Sequence, residues 1–192
     1  MKKQLHRAAL LSLVAVLALA FTSCGGGKSK YTQDAAGFEK LGGDLQSKFG
    51  ADAYYTNLGI VNDSNGGFVI NLTVTKDPSS LKMEEWVMSA GSWRQTADVT
   101  LQVEGADPAD FMFQLGKDVD MKKFGTMVEE AKAKVTEVAN IEGLKLNLAT
   151  VNTPDDEDKS GLRYMIDIKP EHGGTSFYFN YDAQGELISF DY

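Results

Sequence analysis

From Tyr31 onward the chain writes one pattern twice: an amphipathic helix, then strands of period two. The first helix is expected over about Asp34–Phe49. There Phe38, Leu41, Leu45 and Phe49 recur at steps of three and four and so share one face. Gly42 and Gly43 weaken it, and Gly50 suits a C-terminal cap. The second is expected over about Val119–Asn140, with a stripe of Met121, Phe124, Val128, Ala131, Val135 and Val138. Glu130 and Lys134 form an i,i+4 pair on its wet side.

Strands follow each helix. Tyr54–Val61 leads through Asp63-Ser64-Asn65-Gly66-Gly67, a hairpin turn, into Phe68–Thr75. In the latter, Phe68, Ile70, Leu72 and Val74 take one face and Val69, Asn71, Thr73 and Thr75 the other, the mark of a half-buried strand. The second half answers with Leu144–Val151, an acidic loop from Pro154 to Gly161, and Leu162–Ile168. Closing hairpins also correspond. Trp86–Ala90, Gly91 and Ser92–Arg94 parallel Phe179–Gln184, Gly185 and Glu186–Ile188. Pro78–Glu85 reads equally as a helical turn or a strand end. The expected fold is α+β, with two tandem units at 34–105 and 119–192. Each would be one helix packed on an antiparallel four-stranded sheet. Residues 106–118 would link them, packed down by Phe111, Met112, Phe113 and Leu115.

This arrangement resembles the PepSY-like and beta-lactamase-inhibitor-protein-like domains. The second unit carries the resemblance in its helix, its strand pair and its ending Tyr181-Asp182-Ala183-Gln184-Gly185-Glu186-Leu187-Ile188. The resemblance implies periplasmic or extracellular binding, including protease inhibition, and not catalysis. Fold alone does not deliver function.

The first thirty residues concern location. Met1-Lys2-Lys3-Gln4-Leu5-His6-Arg7 is a basic start, and Ala8–Phe21 is an uncharged apolar run broken only by Ser12. Its fourteen residues fall short of the ~20 that cross a bilayer as a helix, so the run reads as the core of an export signal. Phe21-Thr22-Ser23-Cys24 resembles the lipobox of bacterial lipoproteins, although Phe21 stands where an aliphatic is usual. The resemblance implies cleavage after residue 23 and lipidation of Cys24, with two or three acyl chains giving a stable anchor. Residues 24–33 then carry the lipid and a flexible tether, in which Gly25-Gly26-Gly27 is the loosest part. Gly after Cys24, in place of Asp, favours the outer membrane by the sorting rules of such lipoproteins. The periplasmic face is the expected side.

Loss of residues 1–23 removes Lys2, Lys3 and Arg7 and takes the net charge from −8 to −11. So acidic a surface argues against nucleic acid, which needs clustered Lys and Arg. Membrane attachment must come from the lipid on Cys24, and an envelope protein is the expected further partner. Cys24 is the only cysteine and His172 the only histidine after the signal. Disulfides, Cys-based metal sites and His clusters are thereby excluded from the folded part, and no cofactor is expected.

The remaining candidates are few. Asp156, Asp158 and Ser160, followed by Gly161, match the opening of a calcium loop. The twelfth position would be Asp167, which the alternation of Leu162–Ile168 draws into a strand, so a solvated hairpin loop is the stronger reading. His172, in Lys169-Pro170-Glu171-His172-Gly173-Gly174, reads as a loop histidine. No pair among 27 acidic residues stands out as catalytic. Trp86, Trp93 and Tyr178 are the candidates for a binding surface, since Trp and Tyr anchor interfaces. The expectation is a non-catalytic binding module, with a carboxylate-dependent hydrolase of envelope polymers or a structural spacer as alternatives.

Overall fold

The computed structural model describes residues 30–63, 67–103, 105, 107–153 and 161–192. Helix α1 spans Ala35–Phe49. The Asp34 carboxylate caps it by accepting the Gly37 N–H (2.8 Å), and Gly50, at φ 114°, ends it. Helix α2 spans Met121–Ala139. Asp120 caps its start by accepting from the Lys122 and Lys123 N–H groups, and Asn140 closes it in the left-handed conformation. The expected Glu130–Lys134 pair does not form. Lys134 instead meets Glu137 at 3.2 Å, one residue nearer in sequence.

Among the described residues there are nine strands: β1 Tyr54–Asn62, β2 Phe68–Thr75, β3 Lys82–Ser89, β4 Ser92–Thr100, β5 Phe113–Gln114, β6 Leu144–Asn152, β7 Arg163–Pro170, β8 Phe177–Tyr181 and β9 Leu187–Asp191. The ambiguous stretch after β2 resolves into a short 3-10 turn at Pro78–Ser80 followed directly by β3.

The expected pair of tandem units, each with its own four-stranded sheet, is overturned. The strands form one nine-stranded sheet in the order β4-β3-β2-β1-β6-β7-β8-β9, with β5 pairing β1 off this path. The seam is β1 against β6, running from Asn57 opposite Asn152 to Val61 opposite Leu148. Separate sheets would have left β1 and β6 as free edges, with unpaired backbone groups beside Leu58, Ile60, Ala149 and Val151. Pairing satisfies those groups and buries all four side chains.

Both helices lie on the same face of this sheet and touch each other. Phe38 of α1 meets Phe124 of α2 edge to face, with ring centroids 5.3 Å apart. The Ala35 N–H donates to Glu129 Oε2 (3.0 Å), and Gly42 lies against Met121, so the helices run antiparallel. One apolar core therefore draws on both halves of the chain, from Phe38, Leu41 and Leu45 through Leu58, Ile60 and Ile70 to Val128, Ile166 and Phe179. After the edge strand β4 the chain reaches the centre of the sheet again at β5, where Phe113 stacks on Tyr55 at 5.7 Å. No helix among the described residues is long and apolar enough to cross a membrane.

Candidate functional site

Period two on β2, β3 and β4 sends alternate side chains toward α1. Beyond the last turn of that helix the sheet continues and α1 does not, which leaves a cleft of about 790 Å³. Its apolar floor is Phe49 from α1, Val74 from β2 and Trp86 from β3, which register places on the helix side of the sheet. A concave site of this size fits a small organic molecule.

Phe49 organises the aromatic end. It meets Trp86 edge to face at 5.6 Å and Trp93 at 5.3 Å. Such pairs contribute about 0.5–1.5 kcal/mol each beyond the area they bury. Lys48, the next residue back, cannot follow Phe49 into the core and lies over the rings instead. Its Nζ is 4.4 Å from the Trp86 centroid and 5.8 Å from that of Trp93.

Polar groups ring the cleft in equal number: Lys48, Lys76 and Lys82 against Asp77, Glu84 and Asp98. They are not equally occupied. Asp77 Oδ1 accepts from the Ser79 N–H (3.1 Å) and the Ser79 hydroxyl (2.6 Å). Glu84 Oε2 accepts from Trp86 Nε1 (2.8 Å), which fixes the indole. Asp98 Oδ1 accepts from Gln95 Nε2 (2.6 Å). None of the three lysines belongs to an ion pair among the described residues, where the pairs are Lys30–Asp44, Lys122–Glu39, Lys134–Glu137 and Lys145–Glu171.

Neither α1 nor α2 lies on the opposite face of the sheet. Register places Arg94, Val87, Asn71, Gly59, Thr150, Met165, Asn180 and Ser189 in one row across eight strands. At Gly59 the Asn71 side chain lies across the backbone, with Oδ1 2.6 Å from where a Cβ would sit. In the next row Leu148, Asp167 and Tyr178 are cross-strand neighbours. Asp167 is buried; its Oδ2 accepts from Asn147 Nδ2 (2.5 Å), while Oδ1 meets no donor among the described residues.

The sequence-selected residues therefore divide. Trp86 and Trp93 come together around Phe49, with Trp86 lining the cleft. Tyr178 does not join them: it stands on β8, in the other half of the sheet and on the opposite face, 44 % exposed. Alternation along β8 puts Phe177 and Phe179 in the core and leaves Tyr178 outside. Cys24, and the calcium-loop residues Asp156, Asp158 and Ser160, lie outside the described residues. Asp167 does lie in strand β7, as its alternation requires. His172 is exposed in the turn after β7, beside Glu171, whose carboxyl the hydrogen-bonding Lys145 holds below its usual range. No group of three or more His, Cys, Asp or Glu suited to a metal ion occurs among the described residues.

Sequence reasoning missed Lys48, Phe49, Lys76, Lys82, Glu84 and Asp98. Phe49 was legible as a core residue, but its position at the end of the helix, where the sheet outruns it, needs the strand order. Comparison with protein-family models, with curated proteins and with solved structures gave no match for this chain.

Proposed function

We propose that this protein is a lipid-anchored binding module of the bacterial envelope. It is held by Cys24 to the periplasmic face of the outer membrane and takes its ligand in the cleft beyond α1. The signal-like start and the Phe21-Thr22-Ser23-Cys24 motif support the anchor. One observation carries the binding reading: a concave site of about 790 Å³ with an apolar, tryptophan-bearing floor and a polar rim.

A hydrolase is the weaker reading. Glu84 and Asp98 do face each other across β3 and β4 inside the cleft. Both are exposed, and each already accepts a hydrogen bond from a neutral neighbour. Catalytic carboxyls characteristically sit in closed, water-excluding sites, whereas these two stand on an open rim.

Two experiments test the parts separately. Radiolabelled palmitate should enter the wild type and not Cys24→Ser; equal label in both would place the anchor elsewhere. A photo-reactive amino acid at position 86 should yield a covalent adduct in intact envelopes. The same group at position 178 serves as the reference. Equal labelling at both positions, or none at 86, would remove the cleft as the ligand site.

A further inference from the structure

The two ends of the sheet are built differently. β4 closes one end and β9 the other, and neither has a partner on its outer side among the described residues. Such an edge presents a row of N–H and C=O groups to any further strand, and charged or polar side chains are the usual guard. β4 is guarded in that way: Arg94, Gln95, Thr96 and Asp98 are exposed along it, while its Trp93 and Val99 are half-buried. β9 is not. Asp191 is its only charged residue. Of the five large apolar side chains exposed among the described residues, Leu187 (49 %), Ile188 (55 %) and Tyr192 (80 %) lie on β9 or directly after it.

The helix layer explains the difference. Above this half of the sheet α2 meets β6 and β7, and the sheet runs on to β8 and β9 at the margin of that layer. Phe190 stacks on Phe179 at 4.6 Å but stays half-buried, and Tyr192 leans on Phe190 at 5.5 Å. A bulge opposite Asn180 and Tyr181 leaves Ile188 as the extra residue of its strand. The apolar core thus continues to the edge as an uncovered strip.

We infer that β9 is an interface to a second copy of this chain: two β9 strands pair antiparallel about Ser189 and join two sheets edge to edge. The backbone decides the kind of partner, because a line of alternating N–H and C=O groups is matched by an extended strand. The side chains decide which strand. A two-fold axis at Ser189 runs perpendicular to the sheet, so both helix layers lie on one side and the strips of Leu187, Phe190 and Tyr192 from the two copies meet. A foreign strand need bring no such strip; a second copy always does. Charge agrees with this register. The two Asp191 carboxylates fall at opposite ends of the pair, roughly 13 Å apart along the strands. That exceeds the ~8–10 Å over which exposed charges stay coupled in salt. A strand of five residues makes a small contact, at the low end of specific interfaces. Its strength, though not its geometry, therefore rests on the proposed anchor, which holds every copy at one surface and raises the effective concentration.

Cysteine cross-linking tests the pairing. Directly opposed residues of antiparallel strands have Cα atoms about 4.5–5.5 Å apart, within reach of a disulfide. Envelopes carrying the full-length protein are treated with copper phenanthroline as oxidant and run on non-reducing gels. Ser189→Cys should give a disulfide-linked dimer. Asp191→Cys, too far from its counterpart, and Thr96→Cys, on the guarded edge, should give at least about tenfold less. Adding Ile188→Lys to Ser189→Cys should cut the dimer at least about tenfold, since the charge would be buried only in the pair. The melting temperature should not change, because Ile188 is exposed in the single copy. Monomer alone from Ser189→Cys, equal dimer from Asp191→Cys or Thr96→Cys, or a disulfide from Ser189→Cys to a different protein would overturn the pairing. The unsubstituted chain, whose only cysteine is Cys24, reports on the anchor separately. A dimer from it would mean a free Cys24 thiol and end the lipidation reading. Ser189→Cys on a Cys24→Ser background then tests β9 by itself: dimer sustains the pairing and monomer overturns it.

Discussion

Gly125 of α2 lies directly against the backbone at the start of α1, and Gly125→Ala measures what that approach is worth. A Cβ added there would lie 2.6 Å from Ala35 Cα and 2.6 Å from the Asp34 carbonyl oxygen. Carbon atoms in ordinary contact sit about 3.5–4.0 Å apart, so the helices would have to part by roughly 1 Å. Both obstructing atoms are backbone and cannot rotate aside. They are also pinned, by the Asp34 cap and by the Ala35 N–H bond to Glu129. Overpacking of this kind costs about 1–3 kcal/mol, and the pinning places it toward the upper end. Alanine recovers about 1 kcal/mol of helix propensity over glycine. The net loss is about 1–2 kcal/mol, or a Tm lower by roughly 2–8 °C for a chain of this length. Gly43→Ala is the internal control. Gly43 is exposed on α1 with nothing within 4 Å of a new Cβ, so it keeps the propensity gain and should raise Tm by roughly 2–4 °C. Circular dichroism on heating reads both, and one core predicts one cooperative transition. If Gly125→Ala melted at or above the wild-type temperature, the helices would not be in contact and the single shared core would be wrong.

Three further outcomes follow from named groups. Phe49→Ala removes the ring between Trp86 and Trp93 and should cost about 3–5 kcal/mol while collapsing the near-ultraviolet tryptophan signal; retention of that signal would mean the indoles do not depend on Phe49. Asp34 has its pKa lowered by the Thr32 hydroxyl first and the Gly37 N–H second. Its capping stability is therefore present above its unfolded value of about 3.8 and lost as pH falls through the folded one, so Asp34→Ala should cost about 1 kcal/mol at neutral pH and progressively less below pH ~4. A cost independent of pH would argue against the cap. Burial raises Tyr164 and Tyr181 to about 12, and Tyr55 further still. A raised folded value gives stability that is complete below pH ~10 and lost as pH climbs toward 12. Tyr164 and Tyr181 together hold roughly 5 kcal/mol of it. Tyrosinate absorbance for these residues should appear together with loss of the far-ultraviolet signal, and full ionisation of a still-folded protein would refute their burial.

What the sequence made legible was local, and what it hid was the pairing of distant segments. Phe38, Leu41, Leu45 and Phe49 announced α1 because a helix stripe is a short-range pattern, and Phe68–Thr75 announced β2 with its bounds intact for the same reason. Nothing in the alternation of Tyr54–Asn62 or Leu144–Asn152 says that these two strands are partners, since period two records only which faces are buried. Each has an apolar face that fits a small separate sheet as well as the centre of a large one. What decides between these is the backbone: two inner strands with unmet N–H and C=O groups are better joined than left as edges. The same long-range choice makes the cleft. Once β1 and β6 join, α1 and α2 share one sheet face, and the outer strands β3 and β4 extend past the end of α1. Trp86 and Lys48 are 38 positions apart in sequence and meet only because of that overhang. Tyr178 shows the converse. It belongs to the same residue class as the two tryptophans, but its neighbours Phe177 and Phe179 take the core side of β8, so the pleat sends it to the open face beside Asp167. Residue type selected all three aromatics equally, and sheet order separated them, so the binding reading now rests on the cleft beside Phe49 and Trp86 rather than on an aromatic row.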